Sequence, residues 1–206
     1  MISKTKKKNI PLVVDLDGTF IKKDLLYEGF KLIIRKNFLY IFSCCIWILK
    51  GKVNLKNKLF KKINIKSAKI QVNEGVLHFI EKEKKDGRKI ILATASLQSS
   101  AEEISREYPF FDEVYGTNDD TNLKGKNKLK LLLKLYGFKK FDYIGNSFSD
   151  LVIFQSCRYA YLVNASKRLK KKAFKIAGVK IINSEEHSPL DNNLKQRDSN
   201  KTETLK

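Results

Sequence analysis

Two aspartates stand one residue apart in the stretch VVDLDGTF, directly after a short apolar run. On an extended strand Asp15 and Asp17 would point to the same side of the chain, because side chains alternate along a strand. Two carboxylates this close repel each other unless a positive charge lies between them. The pair therefore predicts a cation site, and the apolar run predicts a buried strand that holds it in place.

Three further polar clusters follow apolar runs later in the chain. Together the four clusters are Asp15 and Asp17; Thr94 and Ser96; Lys124, Lys126 and Lys128; and Asn146 and Asp150. In an open α/β sheet ligands bind beyond the carboxyl ends of the strands, so we expect all four clusters at one edge. Carboxylate and amide oxygens suit a hard cation such as Mg²⁺, whereas hydroxyl and ammonium groups suit phosphate oxygens. The pattern predicts a site for phosphoryl transfer.

Strands and helices are predicted to alternate along most of the chain. The helical patterns are amphipathic and several end at glycine, while the strand patterns are short and apolar. The predicted strands are IPLVVDL, KIILATA, DEVYGT, FDYIGN, YAYLVN and VKIIN. This alternation is typical of an α/β fold in which helices flank a parallel sheet.

In their order along the chain, the four clusters resemble the four motifs of the haloacid dehalogenase-like (HAD) phosphatase superfamily. DLDGT is similar to the first motif, the hydroxyl after IILA to the second, the lysine at a helix start to the third and GNSFSD to the fourth. The resemblance covers about residues 10–183 and implies an α/β, Rossmann-like HAD core, with a parallel sheet flanked by helices, plus a helical C1-type cap. It places the core at 10–22 and 87–183 and the cap insert at 23–86, with a basic segment at 1–9 and a polar tail at 184–206 that we expect to be disordered.

The resemblance implies a role for each residue of the first motif. Asp15 would be the nucleophile that attacks phosphorus and forms an aspartyl-phosphate. Asp17 would protonate the leaving group and then activate water, and its backbone carbonyl would bind the metal. Gly18 and Thr19 would let the chain turn sharply at the substrate-binding loop.

The second and third motifs would bind the phosphoryl group. Thr94 would donate a hydrogen bond to it, and Ser96 is a weaker candidate for the same role. Lys128 would offset the negative charge of the nucleophile and of the phosphoryl oxygens. Lys124 and Lys126 stay open as alternatives, because all three lysines lie near the predicted start of one helix.

The resemblance implies Mg²⁺ as the cofactor, held by Asp15, Asp17, Asn146 and Asp150. The superfamily usually has aspartate where this chain has Asn146, so the site would carry one negative charge fewer and bind Mg²⁺ less tightly. Two of these residues also have a simpler interpretation. Asn146 could be a turn residue, and Asp150 could be a charge at a helix N-terminus.

The chain is strongly basic, with a formal net charge of +20 over 206 residues. Only six of its 42 basic residues are arginine, the preferred residue for bidentate contacts with phosphates and bases, which disfavours nucleic acid as a partner. Three cysteines without a disulfide or zinc spacing predict reduced thiols and a cytoplasmic protein.

The predicted cap contains the apolar stretch FLYIFSCCIWIL, which is too short to span a bilayer. Our preferred interpretation is a cap helix buried within the protein. In the alternative, an interfacial helix inserts aromatic side chains into lipid and places lysines near the headgroups. The aromatic residues would be Phe38, Phe42 and Trp47, and the lysines would be Lys36, Lys50 and Lys52.

A more detailed resemblance is to the phosphatase-like domain at the amino end of UbiA-type polyprenyl transferase fusions. It rests on the segments PLVVDLDGTFIKKDLLYEGF, LATAS, NLKGKNK, FDYIGNSFSDL and LVNASKRL. It implies a membrane prenyltransferase as partner, peripheral contact at the inner face of the membrane, and a phosphorylated sugar or lipid-linked sugar phosphate as the substrate.

No transmembrane pattern follows the resembling region, so we expect a stand-alone homologue or one half of a split pair. Two other interpretations stay open. The chain could be a soluble, phosphoserine-phosphatase-like enzyme acting on another small phosphate ester. It could also be a non-catalytic partner domain of a membrane prenyltransferase, with Asn146 as a sign of lost activity.

Overall fold

A six-stranded parallel sheet forms the centre of the protein in a computed structural model that describes residues 9–62, 70–176 and 178–182. The strand order across the sheet is β3-β2-β1-β4-β5-β6. The strands are β1 (Leu12–Val14), β2 (Ile90–Leu97), β3 (Glu113–Thr117), β4 (Asp142–Gly145), β5 (Ala160–Leu162) and β6 (Val179–Ile181). The predicted α/β fold with a parallel sheet flanked by helices is confirmed.

Helices connect the strands and cover the sheet on both sides. They are α1 (Leu25–Lys36), α2 (Tyr40–Leu49), α3 (Lys52–Lys62), α4 (Glu74–Lys85), α5 (Gln98–Glu107), α6 (Lys126–Tyr136), α7 (Leu151–Ser156) and α8 (Lys167–Ala173). A short 3₁₀ turn, Phe148–Asp150, precedes α7. The predicted basic segment before Asn9 and the predicted tail at 184–206 lie outside the described residues.

Strand β1 is buried on both faces, which explains its unbroken apolar sequence. Leu12 and Val14 belong to one apolar core and Val13 to the other. Such double burial is expected of a central parallel strand with helices on both sides. The strand therefore holds the residues that follow it, beginning with Asp15, at a fixed point of the sheet.

Helix α4 packs on the sheet, although its residues fall within the range 23–86 predicted for the cap. Val76 and Ile80 on its apolar face join the core of β1 and β2. Asn73 caps the helix by accepting a hydrogen bond from the backbone N–H of Val76. Helices α1, α2 and α3 contribute to a separate apolar core, although Leu25 at the start of α1 joins the core of β1 and β2.

These three helices share an apolar core of their own, and we call them the cap. Ile33, Cys44 and Leu59 are its buried residues, one from each helix. The preferred prediction of a buried helix at 38–49 is wrong, because Cys44 is the one buried residue of α2. The cap is too thin to cover a helix that is apolar on every side.

A cluster of buried charges holds the opposite edge of the sheet together. Arg88 donates hydrogen bonds to Glu83 at 2.9 Å and to Asp142 at 2.5 Å, and also to the backbone carbonyls of Ile10 and Pro11. The guanidinium thus joins the end of α4 to the starts of β1 and β4. It lies away from the carboxyl ends of the strands and has a structural role.

Within the described residues, no helix combines the length and the apolar character that crossing a membrane requires.

Candidate active site

The candidate site lies where the connections of the sheet change direction. Strand β1 is flanked by β2 on one side and β4 on the other, and later strands continue outward from β4. Open α/β sheets bind ligands in the crevice at such a switch point, beyond the carboxyl ends of the strands. Asp15 follows β1 directly and Asn146 follows β4 directly, so both lie at this crevice.

Asp15 is held in place by an ion pair with Lys128. The Lys128 Nζ donates a hydrogen bond to Asp15 Oδ1 at 2.6 Å, and the Thr19 hydroxyl lies 3.4 Å from Oδ2. Burial raises the pKa of Asp15 to about 7, against the opposing effect of Lys128 and with support from Asp150 and Asp17. A buried carboxylate with fixed orientation is the arrangement a nucleophile requires.

Lys128 is the lysine that reaches the site. It lies in the first turn of α6 and is almost fully buried, whereas Lys124 and Lys126 are exposed. Burial alone would lower its pKa, but the charges of Asp15 and Asp150 outweigh burial and raise it. The ammonium group therefore keeps its charge, and of the three candidate lysines Lys128 is the one that contacts Asp15.

Asp17 has different partners from Asp15, and they belong to β2 and the cap. Its Oδ2 accepts a hydrogen bond from the Ser96 hydroxyl at 2.6 Å, and the Thr94 hydroxyl lies 3.4 Å away. Its Oδ1 accepts from the backbone N–H of Leu25, the first residue of α1, at 2.8 Å. Asp17 thus joins the second motif and the cap to the loop that carries the nucleophile.

Tyr143 is a site residue that the sequence analysis missed. Its hydroxyl accepts a hydrogen bond from Lys128 Nζ and donates one to Asp150 Oδ1, each at 3.0 Å. Burial and the neighbouring charge of Asp150 raise the pKa of Tyr143, so the hydroxyl keeps the proton that it donates. The one signal in the sequence is a phenolic oxygen in a strand that must be buried, since such a group needs partners.

Asp150 combines a structural role with its place in the site. Its Oδ2 accepts hydrogen bonds from the Ser147 backbone N–H at 2.9 Å, the Ser147 hydroxyl at 2.7 Å and the Asn146 backbone N–H at 3.3 Å. Asp150 thus takes part in a capping box at the 3₁₀ turn and directly precedes α7. The other oxygen faces Tyr143, which connects Asp150 to Lys128.

Two glycines make room for these side chains. Gly18 has a φ of +71°, and a Cβ at that position would come within 2.1 Å of the Asn146 amide nitrogen. A Cβ at Gly145 would come within 2.6 Å of the Tyr143 ring and 2.9 Å of Asp150 Oδ2. The DLDGT and GNSFSD segments can approach each other because both positions lack a side chain.

The donor groups at this crevice suit a divalent cation. In the described part of the chain, no three His, Cys, Asp or Glu side chains are grouped so that they could hold a metal. The available set is mixed: the carboxylate of Asp15, the amide of Asn146 and the backbone carbonyl of Asp17, all hard oxygen donors of the kind Mg²⁺ prefers. Asp150 and Asp17 both add negative charge around Asp15, which Lys128 offsets in part. The residues therefore fit Mg²⁺ in both chemistry and charge.

Solved structures share this arrangement of strands and helices. A HAD family hydrolase from Salmonella enterica serovar Typhi is 15% identical with a TM-score of 0.58, over 83% of this chain and 68% of that one. A substrate-bound phosphoserine phosphatase is 16% identical with a TM-score of 0.57, over 84% of this chain and 93% of that one. The chain has the haloacid dehalogenase fold. At such low identity the likeness extends to the fold and not to the activity.

Two further comparisons are less informative about function. A protein of unknown function from Bordetella pertussis Tohama I has a TM-score of 0.63 at 12% identity, over 84% of this chain and 98% of that one. An uncharacterized protein, y4nM of Sinorhizobium fredii, is 31% identical over 175 residues, which are 84% of this chain and 33% of that protein. The chain thus spans about a third of this relative's length. No protein-family model matches the chain.

Proposed function

We propose that the protein is a Mg²⁺-dependent phosphomonoester hydrolase that forms an aspartyl-phosphate on Asp15. The observation that carries this proposal is the pairing of the buried Asp15 carboxylate with Lys128, beside a second carboxylate that has different partners. Environments that differ between two nearby carboxylates are how proteins separate a nucleophile from an acid–base group. The shared HAD fold supports the same chemistry.

In the first step an oxygen of Asp15 attacks the phosphorus atom of the ester. The new bond joins this oxygen to phosphorus while the bond to the alcohol oxygen breaks, and Asp17 gives its proton to the departing oxygen. Lys128 stays beside Asp15 and offsets the negative charge of the phosphoryl oxygens. Thr94 and Ser96, whose hydroxyls now face Asp17, are within reach of the same crevice.

In the second step water releases the phosphate. Asp17, now ionised, takes a proton from water, the water oxygen attacks phosphorus, and the bond to Asp15 breaks. Inorganic phosphate leaves, Asp15 returns to a carboxylate, and Asp17 is protonated again for the next cycle. Each proton lost by Asp17 is thereby recovered within one turnover.

The cation would be held by Asp15, the backbone carbonyl of Asp17 and the amide oxygen of Asn146. When bound, Mg²⁺ would reduce the repulsion between the anionic nucleophile and the anionic phosphate. Asp150 would contribute through water, because its Oδ2 already accepts three hydrogen bonds from the turn that follows β4.

For the substrate, we propose a phosphorylated sugar or a lipid-linked sugar phosphate, processed beside a membrane prenyltransferase at the cytoplasmic face of the membrane. The resemblance to the amino-terminal domain of UbiA-type fusions supports this assignment. So does the Sinorhizobium relative, of which the matching region is about a third, because such a domain then occurs within a longer chain.

A phosphoserine-phosphatase-like activity is the second candidate. The fold likeness to a substrate-bound phosphoserine phosphatase covers 84% of this chain and 93% of that chain. A screen of phosphate release from sugar phosphates, phosphoserine and lipid phosphates separates the two candidates. A protein inactive on all of them would favour the third interpretation, a non-catalytic partner domain.

The decisive first assay is hydrolysis of a generic aryl phosphate with and without Mg²⁺. We expect turnover by the wild type with Mg²⁺ and a loss of at least about a thousandfold in Asp15→Asn, which keeps the shape of the side chain but removes the nucleophile. Asp86→Asn is the matched control, because Asp86 is exposed at the C-terminal end of α4, near Arg88 and away from the crevice. Equal activity in wild type and Asp15→Asn would contradict the proposal.

A further inference from the structure

The cap carries a concentrated apolar surface. Among the described residues, 14 large apolar side chains are exposed, and seven of them lie within twelve consecutive residues in and just before α2. We call these seven the α2 surface: Phe38, Leu39, Ile41, Phe42, Ile46, Ile48 and Leu49. Elsewhere in the described sheet domain such residues are scattered singly, as is normal. Concentrated apolar surface marks a site of interaction.

Packing inside the cap does not account for the apolar character of α2. Cys44 is buried against Ile33 and Leu59, and Tyr40 and Trp47 pack partly on the same core. Phe42 is 63% exposed and Leu49 is 86% exposed. A helix that is apolar on all sides needs cover on all sides, and the described residues cover only one side of α2.

The charges that flank this surface in the sequence are all of one sign. From Gly29 to Asn73 the sequence contains eleven Lys and Arg residues and not one Asp or Glu. Arg35 and Lys36 end α1 just before the α2 surface, Lys50 follows it, and all three are exposed. The Lys52 side chain lies outside the described part of the structure. An apolar helix bordered by cations matches an anionic membrane surface, with apolar groups among the acyl chains and cations at the headgroups.

Two other occupants fit the same surface less well. A second copy of this chain would bring the basic residues that flank α2 in both copies together, and like charges at an interface are unfavourable. A transmembrane arrangement is excluded by length, because about 20 apolar residues are needed to cross a bilayer and α2 has ten. A helix that lies in the plane of a membrane interface needs no acidic residues on a protein partner, and it can be shorter than a membrane-spanning helix.

We propose that α2 docks on the surface of an anionic lipid bilayer, with the α2 surface inserted and the flanking basic residues at the headgroups. Helix α2 belongs to the cap. The backbone N–H of Leu25, at the start of the cap helix α1, donates a hydrogen bond to Asp17. Docking would therefore hold the crevice next to the membrane. The inference rests on exposure and charge, and not on the proposed hydrolase activity.

The test is flotation of the full chain with vesicles of phosphatidylcholine, with and without phosphatidylglycerol. We expect binding to the anionic vesicles that weakens as salt is raised, and much less binding to phosphatidylcholine alone. The double variant Phe42→Ser/Leu49→Ser should bind at least about tenfold more weakly, because two large apolar groups no longer enter the lipid. Phe138→Ser/Phe174→Ser is the matched control, because those side chains are also exposed but belong to the sheet domain, and it should bind as wild type does.

Two results would overturn the proposal. One is a wild type that does not float with anionic vesicles, and the other is a Phe42→Ser/Leu49→Ser variant that floats as well as wild type. Sedimentation equilibrium adds a third outcome. If the wild type is a dimer that does not bind vesicles, and the Phe42→Ser/Leu49→Ser variant is a monomer, the surface would be assigned to a second copy. Hydrolysis of a soluble aryl phosphate, measured in parallel, should be equal in all variants. Failure of docking and failure of the proposed hydrolase are therefore distinguishable.

Discussion

Tyr143 links the ammonium group of Lys128 to the carboxylate of Asp150. Its hydroxyl lies between Lys128 Nζ and Asp150 Oδ1, in a position where no water is needed to connect them. A hydrogen bond to a charged group contributes more to stability than one between neutral groups. The residue therefore fixes the orientation of Lys128, which in turn fixes Asp15.

Tyr143→Phe is predicted to lower the free energy of unfolding by about 1–3 kcal/mol, since it removes hydrogen bonds to two charged partners. Urea unfolding measures this change. Tyr27→Phe is the matched control, because Tyr27 is exposed, and we expect a change within about 0.5 kcal/mol. A Tyr143→Phe protein as stable as wild type would show that the hydrogen bonds of this hydroxyl do not contribute to stability.

Asn146 sets the charge of the proposed cation site. Asn146→Asp adds a carboxylate at the end of β4, so we predict half-maximal hydrolysis at a Mg²⁺ concentration at least about tenfold lower than for wild type. Titration of activity against Mg²⁺ measures this shift. Gln155→Glu adds the same charge at an exposed position of α7 and should leave the titration unchanged.

Asp15 and Asn146 could be placed from sequence because each directly follows an apolar strand, and parallel strands end at one edge, whereas Thr94 and Ser96 lie inside β2. Which lysine reaches the site could not be predicted. Lys124, Lys126 and Lys128 have the same chemistry, and only the start and the rotation of α6 bury the last of them. Tyr143 was missed for a related reason, because its partners come from α6 and from the turn after β4.

At the scale of elements, α2 shows the limit of apolarity as a guide to burial. Its sequence is typical of a buried helix, and a sequence cannot show how many neighbours a helix has. In the structure α1 and α3 cover one side, around Ile33 and Leu59, and leave Phe42 and Leu49 exposed. Helix α4 shows the converse, because its chain position indicates the cap while Val76 and Ile80 pack on the sheet.

Arg88 joins three elements at the edge of the sheet opposite the crevice. Its removal would leave the buried carboxylates of Glu83 and Asp142 with one partner fewer, and loss of one member of a buried ion cluster costs about 3–5 kcal/mol. We predict this loss for Arg88→Leu in urea unfolding. Arg106→Leu, at an exposed position of α5, is the control and should change stability little. A small change in the free energy of unfolding of Arg88→Leu would show that the guanidinium is not needed to stabilise this end of the sheet.

At the scale of the whole molecule, a basic insert and a carboxylate-rich crevice lie on one domain. The crevice draws Asp15, Asp17 and Asp150 together at the switch point of the sheet, while the stretch from Gly29 to Asn73 has no acidic residue. The net charge of +20 is thus not spread evenly over the functional regions. This separation is consistent with a cation-requiring site carried by a domain that meets an anionic surface.

Direct detection of phosphate on Asp15 tests the central claim. The wild type and Asp17→Asn are incubated with an aryl phosphate and Mg²⁺, quenched in acid and mapped by peptide mass spectrometry. We predict a phosphoryl group on Asp15 that accumulates in Asp17→Asn, since that variant lacks the group that activates water. Phosphate release by Asp15→Asn at the wild-type rate, or a phosphoryl group on another residue, would contradict the account.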